Sequence, residues 1–378
     1  MKVLVVTPHL ESFVRDQMEQ IQPHVEQLAA LIVRPRPALF DPQRSSRIGS
    51  DRGLPVSVKT CRSVFLRTRW PWPMDGLSAA GSVLGRLLDR GSFDLVHGHF
   101  LFPPGGLAVR AARSRRIPVV VTGHGFDVYR LPFRNARWAR RIREVLSACS
   151  AAIAVSQANA RIFRDLGAVA QKVHVIPNGF DPSLFHLGPQ ATARERLQLP
   201  GDATILLAVG HLVPIKGHEV LLRALVRLPA SALLVILGRG PLMKSLQRLA
   251  VRLGVSSRVR FRGEVPHTVV GEYMRAADLV LIASHMEGNP TVLFEALGSG
   301  RPVVASRVGG IPDIVTDDLG ILTEPGDPAQ LSMAVQEAIN RPWDAVGIAR
   351  TADRWAWPRL ASDVLAVYRR VVTEEARR

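Results

Sequence analysis

Two glutamates with seven residues between them, Glu287 and Glu295, lie in the segment Ser284-His-Met-Glu-Gly-Asn-Pro-Thr-Val-Leu-Phe-Glu-Ala-Leu-Gly-Ser-Gly300. Ionised carboxylates are strong hydrogen-bond acceptors, so a pair of them suits a ligand that carries several hydroxyl groups. A simpler interpretation is that the two carboxylates only interact favourably with the positive end of a helix. The structural setting of the pair decides between these interpretations.

The elements around the pair predict an anion site. The apolar run Leu279–Ala283 predicts a buried parallel strand. Asn289 is a favourable N-cap and Pro290 a favourable first helical residue, so we expect a helix over residues 290–298. Its N-terminus then lies at the carboxyl end of a strand, where free N–H groups and the helix dipole attract anions. A phosphate with hydroxyl-rich groups on both sides, as in a nucleotide-sugar, would satisfy the anion site and both carboxylates.

The setting Glu-Gly-Asn-Pro…Glu-Ala-Leu…Gly closely resembles the retaining glycosyltransferases of family 4, which have the two-domain GT-B fold. The resemblance covers nearly the whole chain and is most specific over residues 205–315. It implies that Glu287 contacts hydroxyls of the transferred sugar and helps to orient the anomeric carbon. It also implies that Glu295 accepts hydrogen bonds from the ribose hydroxyls. Further donor contacts are implied for Gly288, Asn289, Pro290, Thr291, Val292, Gly238, Gly240, Arg262 and Gly263.

A lysine-containing loop, Gly210-His-Leu-Val-Pro-Ile-Lys-Gly-His218, follows the predicted strand Ile205–Val209. In the family pattern Gly-Arg-Leu…Lys-Gly, the arginine and the lysine bind the donor diphosphate. Lys216 matches the pattern, whereas His211 replaces the arginine, and histidine as a residue type lacks the permanent charge of arginine. We expect both residues and the predicted helix N-terminus to stabilise the leaving diphosphate without a metal. No Asp-x-Asp metal motif and no obvious general base occur, and family members are thought to let the departing phosphate accept the acceptor's proton.

Short apolar runs alternate with helical patterns along the chain, which predicts the parallel sheets of an α/β protein. Two sets of runs predict two Rossmann-like domains, and the resemblance implies that they face each other across a cleft. We place the acceptor-side domain at residues 1–183 and the nucleotide-sugar-binding domain at residues 184–358, with the boundary in Asp181–Pro200. The resemblance implies that a C-terminal helix over residues 359–378 packs back onto the first domain. Other helices are predicted over Phe13–Leu31, Leu77–Leu88, Gly106–Arg115, Trp138–Leu146, Gly217–Val226 and Met243–Leu253.

Two histidine motifs follow the strands predicted over Phe93–Val96 and Val119–Val121: His97-Gly-His-Phe100 and Thr122-Gly-His-Gly-Phe-Asp127. Ligands of parallel sheets bind at such carboxyl strand ends. The second motif resembles the family's His-Gly element, which implies that His124 lies near the transferred sugar and the diphosphate. The expected catalytic residues are therefore Glu287, His124 and Lys216, and cleft positions are expected for His99 and Asp127.

Two further segments are less specific. The loop Thr7-Pro-His-Leu-Glu-Ser-Phe13 departs from the glycine-rich loop of the family, and His9 and Glu11 suit the cleft and the solvent equally. The segment Ile176-Pro-Asn-Gly-Phe-Asp-Pro-Ser-Leu-Phe185 resembles the family's Pro-Asn-Gly element and supports the assignment mainly in a structural role.

The chain is basic, and its charge is uneven. The formal net charge is +17, of which residues 1–183 carry +13. Within that half, Tyr129–Leu146 predicts a helix with a cationic and an apolar face, and Trp70 and Trp72 lie in a proline-rich loop. Such helices often lie on anionic membranes, although a solvated basic face with a core-facing apolar stripe has the same pattern. We favour a peripheral location on the inner face of the cell membrane, with lipid-linked or polysaccharide glycan as acceptor and a UDP- or GDP-sugar as donor.

Other classes of protein fit the sequence less well. No apolar run approaches the ~20 residues of a membrane span, no signal peptide is evident, and the two cysteines lack metal-ligand spacing, which favours a cytoplasmic protein. A nicotinamide enzyme would need Gly-x-Gly-x-x-Gly after its first strand, which is missing. A nucleic-acid-binding protein fits the charge but lacks a recognised motif and would not be expected to bind a sugar-nucleotide. A nucleotide-sugar epimerase of GT-B fold stays open as an alternative. No cofactor is expected.

Overall fold

The computed structural model describes residues 1–8, 12–35, 57–63 and 75–377. His9, Glu11 and the loop that contains Trp70 and Trp72 lie outside the described residues. The chain forms two compact units, Met1–Pro177 with Trp357–Arg378 and Asn178–Ala356. The domain boundaries expected from the sequence lie a few residues later in the chain than these unit boundaries.

The first unit is built around a parallel sheet. Its described part contains seven strands in the order β3-β2-β1-β4-β5-β6-β7, and each neighbouring pair is parallel. The strands are β1 Lys2–Thr7, β2 Gln27–Pro35, β3 Ser57–Ser63, β4 Leu95–His99, β5 Val119–Gly123, β6 Ala151–Ala154 and β7 Val173–Val175. The helices are α1 Ser12–Ile21, α2 Asp75–Gly91, α3 Gly106–Ala112, α4 Phe126–Tyr129, α5 Ala136–Ala148 and α6 Gln157–Asp165.

The second unit repeats the architecture. Its six strands, all within the described residues, are parallel and follow the order β10-β9-β8-β11-β12-β13. The strands are β8 Thr204–Val209, β9 Ala232–Leu237, β10 Val259–Gly263, β11 Leu279–Ile282, β12 Val303–Ser306 and β13 Gly320–Thr323. The helices are α7 Gln190–Arg196, α8 His218–Leu225, α9 Met243–Arg252, α10 His267–Ala276, α11 Thr291–Gly298, α12 Pro328–Asn340 and α13 Ala345–Ala352.

Both sheets have the strand order of doubly wound Rossmann-like domains. In each, the first strand lies inside the sheet, the next two strands extend it to one edge, and the later strands extend it to the other edge. Central strands such as β5 and β9 are buried along their whole length. This burial explains their continuous aliphatic sequence, because helices cover both faces of a parallel sheet. The predicted α/β class with two Rossmann-like domains is confirmed.

The helix predicted over Phe13–Leu31 is wrong. The structure has α1, a 3₁₀ turn over Gln22–His24 and then β2. Pro23 cannot continue a helix because it lacks an N–H group. The following residues 28–33 are all buried. A fully buried strand has no period-two pattern that would distinguish it from a buried helix, which explains the error.

The last helix, α14 Trp357–Ala376, belongs to the first unit. It packs against α1, and its side chain Tyr368 is fully buried. The Tyr368 hydroxyl lies 2.5 Å from Nδ1 of His97. The C-terminal helix is therefore part of the interior of this unit. No helix within the described ranges combines the length and apolar character needed to cross a bilayer.

The basic helix α5 is shorter than the basic segment Tyr129–Leu146 and longer than the helix predicted over Trp138–Leu146. It begins after the N-cap Asn135, whose side chain accepts a hydrogen bond from the Trp138 N–H. Its apolar side chains, Trp138, Ile142, Val145 and Leu146, are buried in the core of the first unit. Arg141 is partly buried over the rings of Phe102 and Trp138. The apolar stripe therefore faces the core, and membrane binding by this helix would depend on its exposed arginines and on the exposed Phe133.

The burial of Trp138 predicts an asymmetric effect on stability. Trp138→Ala should lower the free energy of unfolding by roughly 3–5 kcal/mol, since it leaves a large cavity in the core. Phe133→Ala, at an exposed position before the same helix, should change it by less than about 0.5 kcal/mol. Denaturant unfolding followed by circular dichroism measures both. Equal effects of the two substitutions would contradict the assignment of the apolar stripe to the core.

Candidate active site

The carboxyl edge of the second sheet brings together a lysine, a serine and a glutamate. The Lys216 ammonium donates to Oε1 of Glu287 at 2.7 Å, and the Ser284 hydroxyl donates to the same oxygen at 2.6 Å. The Lys216 side chain is 28% exposed and that of Glu287 is 9% exposed. The cluster is thus mostly buried, and Lys216 is its most exposed member.

Backbone contacts between two loops position Lys216. Gly217 has φ of 63°, a left-handed conformation, and a Cβ atom there would lie 1.9 Å from the carbonyl oxygen of Ala283. Only glycine fits at such a position. The His285 N–H donates to the Ile215 carbonyl at 2.8 Å. The loop after β8 is therefore joined to the loop after β11, and this contact places Lys216 beside Glu287.

A third loop supports Glu287 from the other side. Gly309 also has positive φ, 57°, and a Cβ atom there would lie 1.9 Å from the carbonyl oxygen of Glu287. The Gly310 N–H donates to the Gly288 carbonyl at 3.0 Å. The segment after β12 thus fixes the backbone on which Glu287 is carried.

The predicted N-cap Asn289 is wrong, because the cap position is Pro290 and α11 begins at Thr291. The Asn289 side chain instead accepts a hydrogen bond from the Asn178 N–H at 3.0 Å, and the Asn178 side chain donates to the Asn289 carbonyl at 2.7 Å. These long-range partners take the side chain away from the helix. Since no side chain caps α11, its first N–H groups face outward from the helix end and can accept an anion.

Glu295 lies in the second turn of α11 and is 7% exposed. The Nε2 atom of His267 lies 3.0 Å from its Oε1 atom. In both glutamates, the contacts found among the described residues involve Oε1. The second oxygen of each carboxylate is therefore the one left for a further hydrogen-bond partner.

The two glycines of the loop after β9, Gly238 and Gly240, are explained by packing between loops. Gly238 has φ of 136°, and a Cβ atom there would lie 1.9 Å from the Gly210 carbonyl oxygen. At Gly240, a Cβ atom would lie 2.4 Å from the carbonyl oxygen of Leu212. Both glycines are needed for the packing of this loop on the one that carries His211. The role of Gly238 and Gly240 in donor contact stays a prediction.

The remaining predicted donor residues lie at the same end of the sheet. Gly263 has φ of 73°, and its carbonyl accepts from the Gly238 N–H at 2.7 Å. His211 and Arg262 are exposed, whereas Gly288, Asn289, Pro290 and Val292 are buried and Thr291 is partly buried. The structure thus brings the loops that carry these residues to one edge of the second unit.

A small depression lies at this edge and is lined by Lys216, Ser284, Glu287 and Val292, among others. It is also lined by His218, which the sequence did not single out as a site residue. Burial, together with the Lys216 charge, lowers the pKa of His218 to about 4, so the imidazole is neutral at pH 7. Ser284, His218 and His267 were missed because no motif spacing links them to the glutamates.

The first unit places His124 in a group of stacked histidines. The Nε2 atom of His124 lies 3.1 Å from Nδ1 of His99, and the two rings are stacked with centroids 5.3 Å apart. The His97 ring in turn lies against His99, with centroids 4.2 Å apart and the ring planes tilted by 32°. The strand β4 extends to His99, so both His97 and His99 belong to the strand rather than following it as predicted. His97 was not among the expected site residues, and its Nε2 atom lies 2.8 Å from the Thr122 hydroxyl.

The Asp127 carboxylate accepts hydrogen bonds from backbone N–H groups of the same region. One carboxylate oxygen accepts from the Leu101 N–H at 2.8 Å, and the other accepts from the N–H groups of Gly125 at 2.9 Å and His124 at 3.2 Å. Burial raises the pKa of Asp127, and these backbone hydrogen bonds oppose the rise. Asp127 and His99 are 2% and 1% exposed, so their observed contacts hold the His124 loop, and direct contact with a ligand stays a prediction.

Comparison with known proteins identifies the class. A family model described as "Glycosyl transferases group 1" matches residues 189–355, and one described as "Glycosyltransferase Family 4" matches residues 24–184. D-inositol 3-phosphate glycosyltransferase 1 of Catenulispora acidiphila is 31% identical over 313 residues, 76% of this chain and 75% of that protein. A putative teichuronic acid biosynthesis glycosyltransferase, TuaC of Bacillus subtilis, is 31% identical over 302 residues, 77% and 71% of the two chains. The chain belongs to this family of glycosyltransferases.

Solved structures agree on the fold. The HepE protein of Anabaena in complex with UDP superposes with a TM-score of 0.79 at 21% identity, and covers 97% of this chain and 99% of its own. Sucrose-phosphate synthase of Thermosynechococcus elongatus also gives 0.79, at 20% identity and 99% and 100% coverage. The fold is GT-B.

The stacked histidines predict acid sensitivity. Burial lowers the pKa of His99 from 6.5 to about 3, so between these values the unfolded chain binds more protons than the folded one. Stability should therefore fall as pH decreases below about 6.5, by up to about 1.4 kcal/mol per pH unit for each such group. His99→Asn, which retains a polar atom near the Nδ1 position, should make this slope smaller. The test is to measure the free energy of unfolding of both proteins from pH 7 to pH 4.5. The same pH slope in the wild type and in His99→Asn would contradict the buried neutral state of His99.

Proposed function

We propose that this glycosyltransferase moves a sugar from a nucleoside-diphosphate sugar to an acceptor with retention of the anomeric configuration. The observation that carries the proposal is the Lys216–Ser284–Glu287 cluster, which lies at the carboxyl end of β11 and next to the uncapped N-terminus of α11. A cation and a helix N-terminus suit a diphosphate, and a carboxylate suits sugar hydroxyls.

In this proposal each glutamate binds a different part of the donor. Glu287 contacts the sugar with its second carboxylate oxygen, while Lys216 and Ser284 hold the first. Glu295, eight positions further along, takes the ribose hydroxyls. UDP as the nucleotide is supported by the UDP complex of Anabaena HepE, a structural relative, and GDP stays an alternative.

Departure of the diphosphate is the step that the site is suited to assist. The bond between the anomeric carbon and the phosphate oxygen breaks, and negative charge grows on the leaving group. Lys216, His211 and the first N–H groups of α11 would stabilise that charge without a metal. The acceptor oxygen would then bond to the same face of the sugar, and its proton would pass to the departing phosphate. His124 is proposed as a further catalytic residue on grounds of resemblance.

The acceptor is proposed to be a polysaccharide or a lipid-linked glycan at an anionic membrane surface. The support for this part is the charge of the first unit, in which Arg134, Arg137, Arg140 and Arg143 are exposed on or just before α5. TuaC, one of the relatives, is named for teichuronic acid biosynthesis, which is consistent with a glycan acceptor. The proposed location is the inner face of the cell membrane.

The first test concerns Glu287. Glu287→Gln should lower the turnover number about 10²–10³-fold, the usual cost of removing one preorganised electrostatic contact. The dissociation constant for UDP or GDP should change little, because Glu287 is assigned to the sugar. Nucleoside diphosphate release from the donor sugar and calorimetric titration measure the two quantities.

A matched control is Glu272→Gln, since Glu272 also accepts from a basic side chain, Arg275 at 2.9 Å, but lies outside the site. It should keep wild-type turnover. Normal turnover of Glu287→Gln would disprove the role of this glutamate. A wild type that binds neither UDP- nor GDP-sugars, measured as a shift of the thermal midpoint, would disprove the donor class.

The membrane part has a separate test. Replacing Arg134, Arg137 and Arg140 with serine should lower the affinity for anionic liposomes, measured by co-sedimentation, about a hundredfold. Each arginine is expected to contribute about 1 kcal/mol of binding free energy. Rising salt should weaken wild-type binding in the same way. The control replaces Arg110, Arg113 and Arg116, which are exposed elsewhere on the unit, and removes the same charge. Equal losses in both variants would indicate binding by net charge alone, and no wild-type binding would exclude the membrane surface.

A further inference from the structure

His267 is the polar partner of a deeply buried carboxylate. Its Nε2 atom lies 3.0 Å from Oε1 of Glu295, and the side chains are 31% and 7% exposed. Because an ionised carboxylate only accepts hydrogen bonds, the Nε2 atom must carry the hydrogen and donate it. The pair therefore links a partly exposed imidazole to a carboxylate in the interior.

The imidazole is held by its own helix and by a neighbouring aromatic ring. His267 is the first residue of α10, and it reaches Glu295 on a different helix, α11. The ring of Phe185 packs edge-on against the imidazole, with centroids 4.8 Å apart. An imidazole fixed by its backbone position and by an aromatic neighbour is a rigid donor, so it restricts the rotation of the carboxylate that it contacts.

The contact with His267 leaves one oxygen of Glu295 for other partners. Oε1 is engaged by the imidazole, and no contact of Oε2 is found among the described residues. If the imidazole were removed, a carboxylate with this burial would lose its partner, which favours a different rotamer. That change would alter what Oε2 can bind.

We propose that His267 is a positioning residue for recognition of the donor nucleotide: it holds Oε1 of Glu295 so that Oε2 accepts hydrogen bonds from the ribose hydroxyls. This inference rests on the proposed function, which assigns Glu295 to the ribose. His267 does not itself touch the nucleotide in this proposal.

The test compares ligands with and without the ribose hydroxyls. Dissociation constants are measured by calorimetry for UDP and GDP and for their 2′,3′-dideoxy counterparts. In the wild type, loss of the hydroxyls should weaken binding by roughly 10–100-fold, as expected for hydrogen bonds to a charged group. In His267→Leu, the same comparison should give less than about a threefold difference, because Glu295 is no longer oriented.

Two further variants separate positioning from general damage. His267→Gln carries an amide nitrogen near the position of Nε2 and should restore most of the discrimination. His174→Leu is the control, since His174 is likewise a partly exposed histidine but lies on β7 of the first unit. It should discriminate as the wild type does. Thermal midpoints confirm that each variant is folded.

A double-mutant cycle completes the test. In a Glu295→Gln background, His267→Leu should have no further effect on the hydroxyl discrimination, because the two residues act as one unit. If the wild type discriminates and His267→Leu discriminates equally well, the inference is wrong and the donor assignment stands. If the wild type binds the nucleotides without discrimination, or binds neither, the assignment of Glu295 or of the donor is wrong, and the inference is wrong with it.

Discussion

The hydrogen-bonded ion pair between Lys216 and Glu287 is the interaction on which the site depends. The carboxylate is largely removed from water, and such a charge is costly unless it is paired and hydrogen-bonded. Lys216 supplies the charge and Ser284 a second donor, both to the same oxygen. The arrangement stabilises the carboxylate through one oxygen and leaves the other without a contact among the described residues. The ammonium, 28% exposed, stays partly open to solvent.

The backbone makes this pair possible. Glycines with positive φ, Gly217 and Gly309, bring three strand-end loops into direct contact with the carbonyl groups of Ala283 and Glu287. A side chain at either glycine would push these loops apart and separate Lys216 from Glu287. The reciprocal hydrogen bonds between Asn178 and Asn289 add a third support to the Glu287 loop. The precision of the site therefore comes from loop-to-loop packing at the edge of a rigid sheet.

The sequence predicted much of this architecture and little of its internal contacts. Apolar runs located β8 and β11 to within about one residue at each end, because buried parallel strands have distinctive aliphatic runs. The same reasoning failed at β2, where a buried strand followed a helix without a recognisable change of pattern. It also failed at Asn289, whose local N-cap preference lost to a partner 111 residues away.

The partners of the glutamates were missed for a related reason. Ser284 lies only three residues before Glu287, yet serine before a loop is too common to be informative. His267 reaches Glu295 from another helix, and His97 reaches Tyr368 across 271 residues of sequence. Spacing along the chain carries no information about such contacts. Motifs thus suggested the candidate site residues, and the fold was needed to find the groups that hold them.

Hydrogen–deuterium exchange with and without a sugar-nucleotide tests the central claim most directly. The claim is that the loop after β8, the Glu287 loop and the first turn of α11 together hold the donor. On addition of UDP-glucose or the corresponding GDP-sugar, amides in residues 210–217 and 287–293 should exchange more slowly, because ligand oxygens occupy their N–H groups or cover them. Amides of the remote helix α12 should be unchanged. Slower exchange confined to other segments, with these two unchanged in a protein that binds the ligand, would contradict the account.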